Sequence, residues 1–287
     1  MERVFQLLLN GVMAGAVLAV PAIGFTTIFA VLRFANFALA GHMAVGAFAG
    51  YLVNSWLGLP AWAAVLAAFL FAAMIGVATD HVALRPLRGY RALTIAIASI
   101  ALNLMVENAL RFCFGNAPRN FAIPLRRDLS FGPIHIGPQQ IENAIIAGIA
   151  MMILFLFLSL TTTGKAMRAV ADNPALADSK GIDPDRMARI AVAIGMGLGG
   201  IGGMLIGLDA SIDPLVGFRS ILSVFAAAVV GGLGNVPGAV VGGLVIGLAE
   251  ELSLLALPST YKAAVGFLAI LITLSFRPRG LLGPRGV

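Results

Sequence analysis

From Val4 to Leu32 the chain runs 29 residues without a single charge. As one helix that run is about 44 Å long, more than the hydrocarbon core of a bilayer requires. Seven more apolar runs follow, at Phe37–Trp56, Ala61–Val82, Ala92–Phe112, Ile141–Leu160, Ile190–Leu208, Ala239–Leu257 and Ala263–Phe276, with a shorter one at Ile221–Val230. Only 11% of the 287 residues are charged and 60% are hydrophobic, too little charge to cover the surface of a water-soluble domain of this size. The longest polar interval is too short to bury a core of its own. The fold class is therefore all-α, a polytopic bundle of eight or nine spans forming one transmembrane domain over residues 1–287. Pro21 and Gly24 predict a break in the first run. The ten apolar residues of Ile221–Val230 span only about 15 Å, which leaves a broken or re-entrant helix open there.

One long polar stretch interrupts this pattern. Residues Thr161–Arg189 carry 5 basic and 4 acidic side chains between two apolar runs. Asn173 before Pro174, and Asp183 before Pro184, each set a capping side chain ahead of a proline suited to the first helical turn. Gly181 suits a left-handed helix end, with Lys180 complementing the negative pole. These signals predict a short helix over Pro174–Lys180 outside the bilayer, then a spanning helix from Pro184. Such a helix fits docking into a partner, though an ordinary amphipathic loop has the same composition.

Eleven of the 19 basic residues fall in three places: Arg85–Arg91, Thr161–Arg189 and the tail at Arg277, Arg279 and Arg285. The positive-inside rule puts all three in the cytoplasm and turns Cys113–Gln140 outward, against the sense of Arg119, Arg126 and Arg127. Keeping the tail inside requires an even number of crossings after Arg189, which favours Ile221–Val230 as part of one.

Glycines recur every four residues at Gly195, Gly199, Gly203 and Gly207, and Gly46 and Gly50 form a G-x-x-x-G pair; both patterns suit close helix packing in lipid. The stretch Gly231, Gly232, Gly234, Asn235, Pro237, Gly238 has too many breakers to stay helical. Irregular backbone of that kind suits a pathway-lining or gating element. Ionisable residues within apolar runs are candidates for function. Glu107 has Arg111 one turn later as an ion-pair partner. Asp209 and Asp213 end a span where simple solvation explains them. His42 has no second ligand at metal spacing, and the single cysteine, Cys113, excludes a disulfide within the chain. The sequence lacks a phosphate-binding G-x-x-x-x-G-K-[ST] loop, a G-x-S-x-G elbow and an H-E-x-x-H pair, and its basic residues do not alternate with exposed aromatics as in nucleic-acid binders. No catalytic constellation and no metal site are expected.

Four segments, in order, carry a resemblance. They are Leu8–Ala16, then Gly164, Lys165, Arg168, Ala169, Asp172, Asn173, Gly181 and Ile182, then Ala226–Gly243, and last Arg277–Gly283. In these the chain resembles the LivH-type permease subunit of the branched-chain amino acid ABC importers. The resemblance implies that Gly164, Arg168, Ala169, Asp172, Asn173, Pro174, Ala175, Ala177, Lys180 and Gly181 couple the chain to ATPases. It implies a bacterial inner-membrane assembly with a related second permease chain, two ATP-binding subunits, a periplasmic substrate-binding protein and the lipid bilayer. ATP and Mg²⁺ would sit on the ATPases; this chain would hold no cofactor, hydrolyse nothing and bind no nucleic acid. After Asn36, Phe37 and Ala38 this sequence has Leu39, Ala40 and Gly41 where the family commonly has His-Gly-Glu. That departure widens the solute class from branched-chain amino acids to related amino acids, amides, urea or organic acids. Asn36, Phe37, Gly41, Asn103 and Glu107 are the polar, aromatic or small residues expected near the solute path. An ATP-independent channel or secondary transporter is the alternative, and an intramembrane enzyme is disfavoured by the missing nucleophile and base.

Overall fold

A computed structural model of the chain describes residues 2–122, 129–131 and 134–283. Arg126, Arg127 and Arg285, used above for orientation, lie outside them. Eleven α-helices are present among the described residues: α1 (Glu2–Leu32), α2 (Leu39–Tyr51), α3 (Ala61–Thr79), α4 (Ala92–Phe114), α5 (Pro138–Leu160), α6 (Thr162–Asp172), α7 (Pro174–Ser179), α8 (Pro184–Asp209), α9 (Val216–Gly231), α10 (Val236–Ser253) and α11 (Lys262–Phe276). Wider turns continue α2 through Leu52–Trp56 and α3 through Asp80–Leu84. A two-stranded antiparallel hairpin, β1 (Leu129–Phe131) and β2 (Ile134–Ile136), lies between α4 and α5.

Among the described residues seven helices are long and apolar enough to cross a membrane: α1, α3, α4, α5, α8, α10 and α11. The remaining expected spans are short. α9 has 16 residues, and α2 has 13 before its wider turn. α9 nevertheless runs from one end of the bundle to the other. It begins beside Ile212, which pairs with Arg119 beyond the end of α4, and it ends against the tail, where the amide of Leu281 donates to Val230 O at 2.8 Å.

The first run does not break at Pro21 or Gly24. α1 is continuous for 31 residues, roughly 46 Å. α1 continues through Pro21 at the cost of one hydrogen bond, and α8 presents Gly202 to the ring: a methyl group there would come within 2.5 Å of Pro21 Cδ. Gly24 serves packing in the same way, lying against the Gly195 carbonyl. The true break falls at Arg33–Ala38, where the chain leaves α1, passes through a left-handed residue at Arg33 (φ 58°) and re-enters the bundle as α2.

α8 is the core helix, packed on α1, α2 and α3. The glycine repeat explains how it fits. Gly46 of α2 crosses Gly200 of α8 so closely that a methyl group on Gly46 would lie 2.2 Å from Gly200 Cα. Apolar side chains gain little by leaving lipid for one another, so this backbone approach and the dispersion contacts it permits supply the helix pairing. α11 and the outer faces of α4 and α5 keep large apolar side chains exposed, as lipid-facing helices do.

Candidate functional site

The polar stretch folds into two helices rather than one. Thr161 caps α6, its Oγ1 accepting from Gly164 N at 2.9 Å. Gly164 is required there, because a methyl group would meet the Phe157 carbonyl at 2.4 Å. α6 is amphipathic. Met167 and Val170 are buried, with Ala169 packed partly beside them, while Arg168 and Asp172 stay exposed. The sequence reading missed this helix, although Met167, Val170 and the capping Thr161 carry its signal.

α7 then forms where the sequence predicts it. Asn173 Oδ1 accepts from Leu176 N at 3.0 Å, Pro174 opens the helix, and Lys180 and Gly181 (φ 83°) close it. Ala177 is its one buried residue, packed with Met187 and Ala191 of α8. Ala175 is exposed, and so is Leu176, with 56% of its surface open. Asp183 Oδ1 caps α8 from Asp185 N and Arg186 N at 2.9 and 3.2 Å. The base of this unit is pinned by charge: Arg85 Nη2 meets Asp185 at 2.7 Å, and Arg88 reaches the buried Asp80 at 2.5 Å. The result is an exposed, capped helix of six residues fixed to the core helix α8.

The glycine-rich segment lies on the same face of the bundle. α9 stops at Gly231, Gly232 and Gly234 take left-handed φ of 111° and 87°, and Asn235 caps α10, its Oδ1 accepting from Gly238 N at 3.1 Å with Pro237 in the first turn. The tail clamps this turn through Leu281 N to Val230 O and Leu282 N to Gly231 O, 2.8 and 3.1 Å. A methyl group on Gly232 would strike Gly283 N at 2.7 Å, so the clamp needs glycine as well as left-handed backbone.

Of the five residues expected near the solute path, Phe37 and Gly41 meet α4 directly, Asn103 and Glu107 lie on α4, and Asn36 bonds locally ahead of α2. Phe37 N donates to Ser99 Oγ at 3.0 Å. Gly41 lies against Asn103, whose Oδ1 would be 3.1 Å from a methyl group there. Asn36 Oδ1 accepts from Ala38 N at 3.1 Å and shapes the start of α2. Glu107 is one turn beyond Asn103, buried, and paired with Arg111 at 2.6 Å. Ser99, Asn103 and Glu107 thus form a buried polar stripe at four-residue spacing on one face of α4. Ser99 was missed in the sequence; that spacing is the signal that finds it. Asn36 Nδ2 and Asn103 Oδ1 have no hydrogen-bond partner. Beside the stripe, Phe37 closes an aromatic triad with Phe25 and Phe225, ring centres 6.2 and 5.5 Å away.

Other polar residues take structural positions. His42 is buried between Ala38 O (2.7 Å) and Thr79 Oγ1 (3.1 Å), and no group of metal-binding side chains occurs among the described residues. Asp213 is not merely solvated. It is buried, accepts from Leu215 N and pairs with Arg219 at 2.9 Å, because the link from α8 to α9 folds inward there. Asp209 accepts from Asn143 of α5 at 2.7 Å.

Seven long apolar helices, a glycine-rich core helix and an external capped helix, among the described residues, define a polytopic membrane bundle. Comparison with known proteins gives the family. The family model for the "Branched-chain amino acid transport system / permease component" matches residues 7–274. The high-affinity branched-chain amino acid transport system permease protein LivH of Salmonella typhimurium is 31% identical, over 97% of this chain and 95% of its own length. BraD of Pseudomonas aeruginosa, described in the same words, is 30% identical over 97% and 95%. A probable LivH of Methanocaldococcus jannaschii is 27% identical over 93% and 88%. The chain belongs to the branched-chain amino acid transport permease family.

Proposed function

We propose that this chain is the membrane-spanning permease subunit of an ATP-driven importer for branched-chain or closely related amino acids. α7 carries the proposal. A six-residue helix would fray if isolated; here it is capped at both ends, anchored through Ala177 and left with Leu176 bare. That arrangement suits insertion into a groove of a separate ATP-binding subunit. Closure of two such subunits would push on α6 and α8 together. The face bearing α7, the basic loop at Arg85–Arg91 and the tail is then cytoplasmic, and a periplasmic binding protein delivers solute to the other. A related second permease chain completes the path, and Ser99, Asn103 and Asn36 offer it hydrogen bonds. No ATP or Mg²⁺ is assigned to this chain.

The test is purification in detergent of the intact chain and of a variant with residues 175–180 replaced by Gly and Ser. Co-purification of an ATPase with the intact chain alone supports docking through α7. If both forms purify without an ATPase and still move solute in liposomes, a self-sufficient channel or carrier takes the place of this reading.

A further inference from the structure

A cavity of about 410 Å³ opens on the α7-bearing face, between the end of α1, the outer side of α6 and the α9–α10 turn. We propose that it is a second solute site, selective for the zwitterion of an aliphatic α-amino acid and distinct from the α2–α4 seam. The proposal rests on the amino-acid reading of the transported solute given above.

Three charged side chains line the cavity: Arg33, Arg168 and Asp172. Arg33 spends one guanidinium nitrogen on Ala171 O, leaving its other donors free. Arg168 and Asp172 stand one helical turn apart on α6, yet neither forms an ion pair or side-chain hydrogen bond with any described residue. Both are exposed and hydrated, and a ligand carrying both signs can take the place of that water on the two side chains together. A carboxylate fits the guanidinium fork through two parallel hydrogen bonds, and an ammonium fits the Asp172 carboxylate. A doubly charged phosphate would gain from the arginines and be repelled by Asp172. The wall also carries Thr27, Ser159 and Asn235, and between them Val31, Leu158, Met167 and Val236 offer a seat to a branched aliphatic side chain. The headgroup of phosphatidylethanolamine carries the same two charges, so the experiment has to separate the two sources.

Ser159 lines the cavity, and the native Cys113 is exposed beyond it at the far end of α4. The full chain bearing Ser159→Cys, in nanodiscs of phosphatidylcholine, gives two thiols whose alkylation rates are read separately. Leucine is expected to slow alkylation at position 159 several-fold and saturably, and to leave Cys113 unchanged. Leucinol, without the carboxylate, and 4-methylpentanoate, without the ammonium, are expected to give no protection. Arg168→Gln or Asp172→Asn in the same background removes protection by leucine, an unchanged thermal unfolding temperature showing that the variant is folded. Protection by 4-methylpentanoate equal to that by leucine overturns the assignment. So does equal slowing at both thiols, absence of any slowing, or protection by phosphatidylethanolamine nanodiscs alone. Uptake of leucine by the complete assembly is measured separately, so the amino-acid reading can hold while this site fails.

Discussion

The guanidinium of Arg33 donates to the carbonyl of Ala171, tying the residue that ends α1 to the last turn of α6. Arg33 is also the one non-glycine residue with positive φ among those described. A left-handed residue at a helix end is ordinarily glycine, since a side chain there costs about 1 kcal/mol. A strained arginine held in that place links the docking unit to the Arg33–Ala38 break, and through it to Asn36 and Phe37.

Arg33→Gly removes the tie while giving the backbone its preferred residue. Thermal unfolding should stay within about 1 kcal/mol of the parent, relief of strain offsetting the greater freedom of the unfolded chain. ATP-driven uptake by the complete assembly should fall at least several-fold. Parental uptake in this variant would show that the Arg33–Ala171 contact transmits nothing.

Asn103 presents the opposite trade. Its buried Oδ1 lacks a partner, a deficit of about 1–3 kcal/mol. Asn103→Leu, similar in size, should therefore raise the unfolding temperature and lower uptake. A rise in both would remove Asn103 from the solute path.

The Glu107–Arg111 pair should behave asymmetrically. Arg111→Met strands a carboxylate that is 5% exposed, at a cost of about 3 kcal/mol. The double variant with Glu107→Gln should recover most of that loss. Chemical unfolding of the two single variants and the double variant measures the coupling directly.

Much of this was legible in the sequence, and the physics says which parts. Capping residues act within one turn, so Asn173, Pro174 and Asp183 located α7 and α8 to within a residue. Pro21 misled because a long helix packed on its neighbours can carry one lost hydrogen bond, and the glycine that makes room for its ring, Gly202, lies 181 positions away. α6 was missed because its signal is amphipathic periodicity within a stretch that stands out chiefly for charge. The contact of Gly41 with Asn103 joins two residues that the sequence suggests singly. Only the fold shows Phe37 N on Ser99.

Glycine substitutions separate packing from mere composition. A methyl group at Gly203 would lie 2.0 Å from Met43 O, whereas one at Gly148 meets nothing within 4 Å. Gly203→Ala should destabilise by about 2 kcal/mol or more. Gly148→Ala should be neutral or stabilising by up to about 1 kcal/mol. Equal effects at the two sites would refute the crossing of α2 and α8 described above.

The tail that clamps the α9–α10 turn also sets an order of events during biosynthesis. Gly231 and Gly232 leave the ribosome well before Leu281 and Leu282, and all of α10 and α11 must be made and inserted in between. Until then Val230 O and Gly231 O lack these two donors, while Gly232 O is already held within the turn by Asn235 N. The turn between α9 and α10 is thus made first and joined later, by two backbone hydrogen bonds from the segment that follows α11.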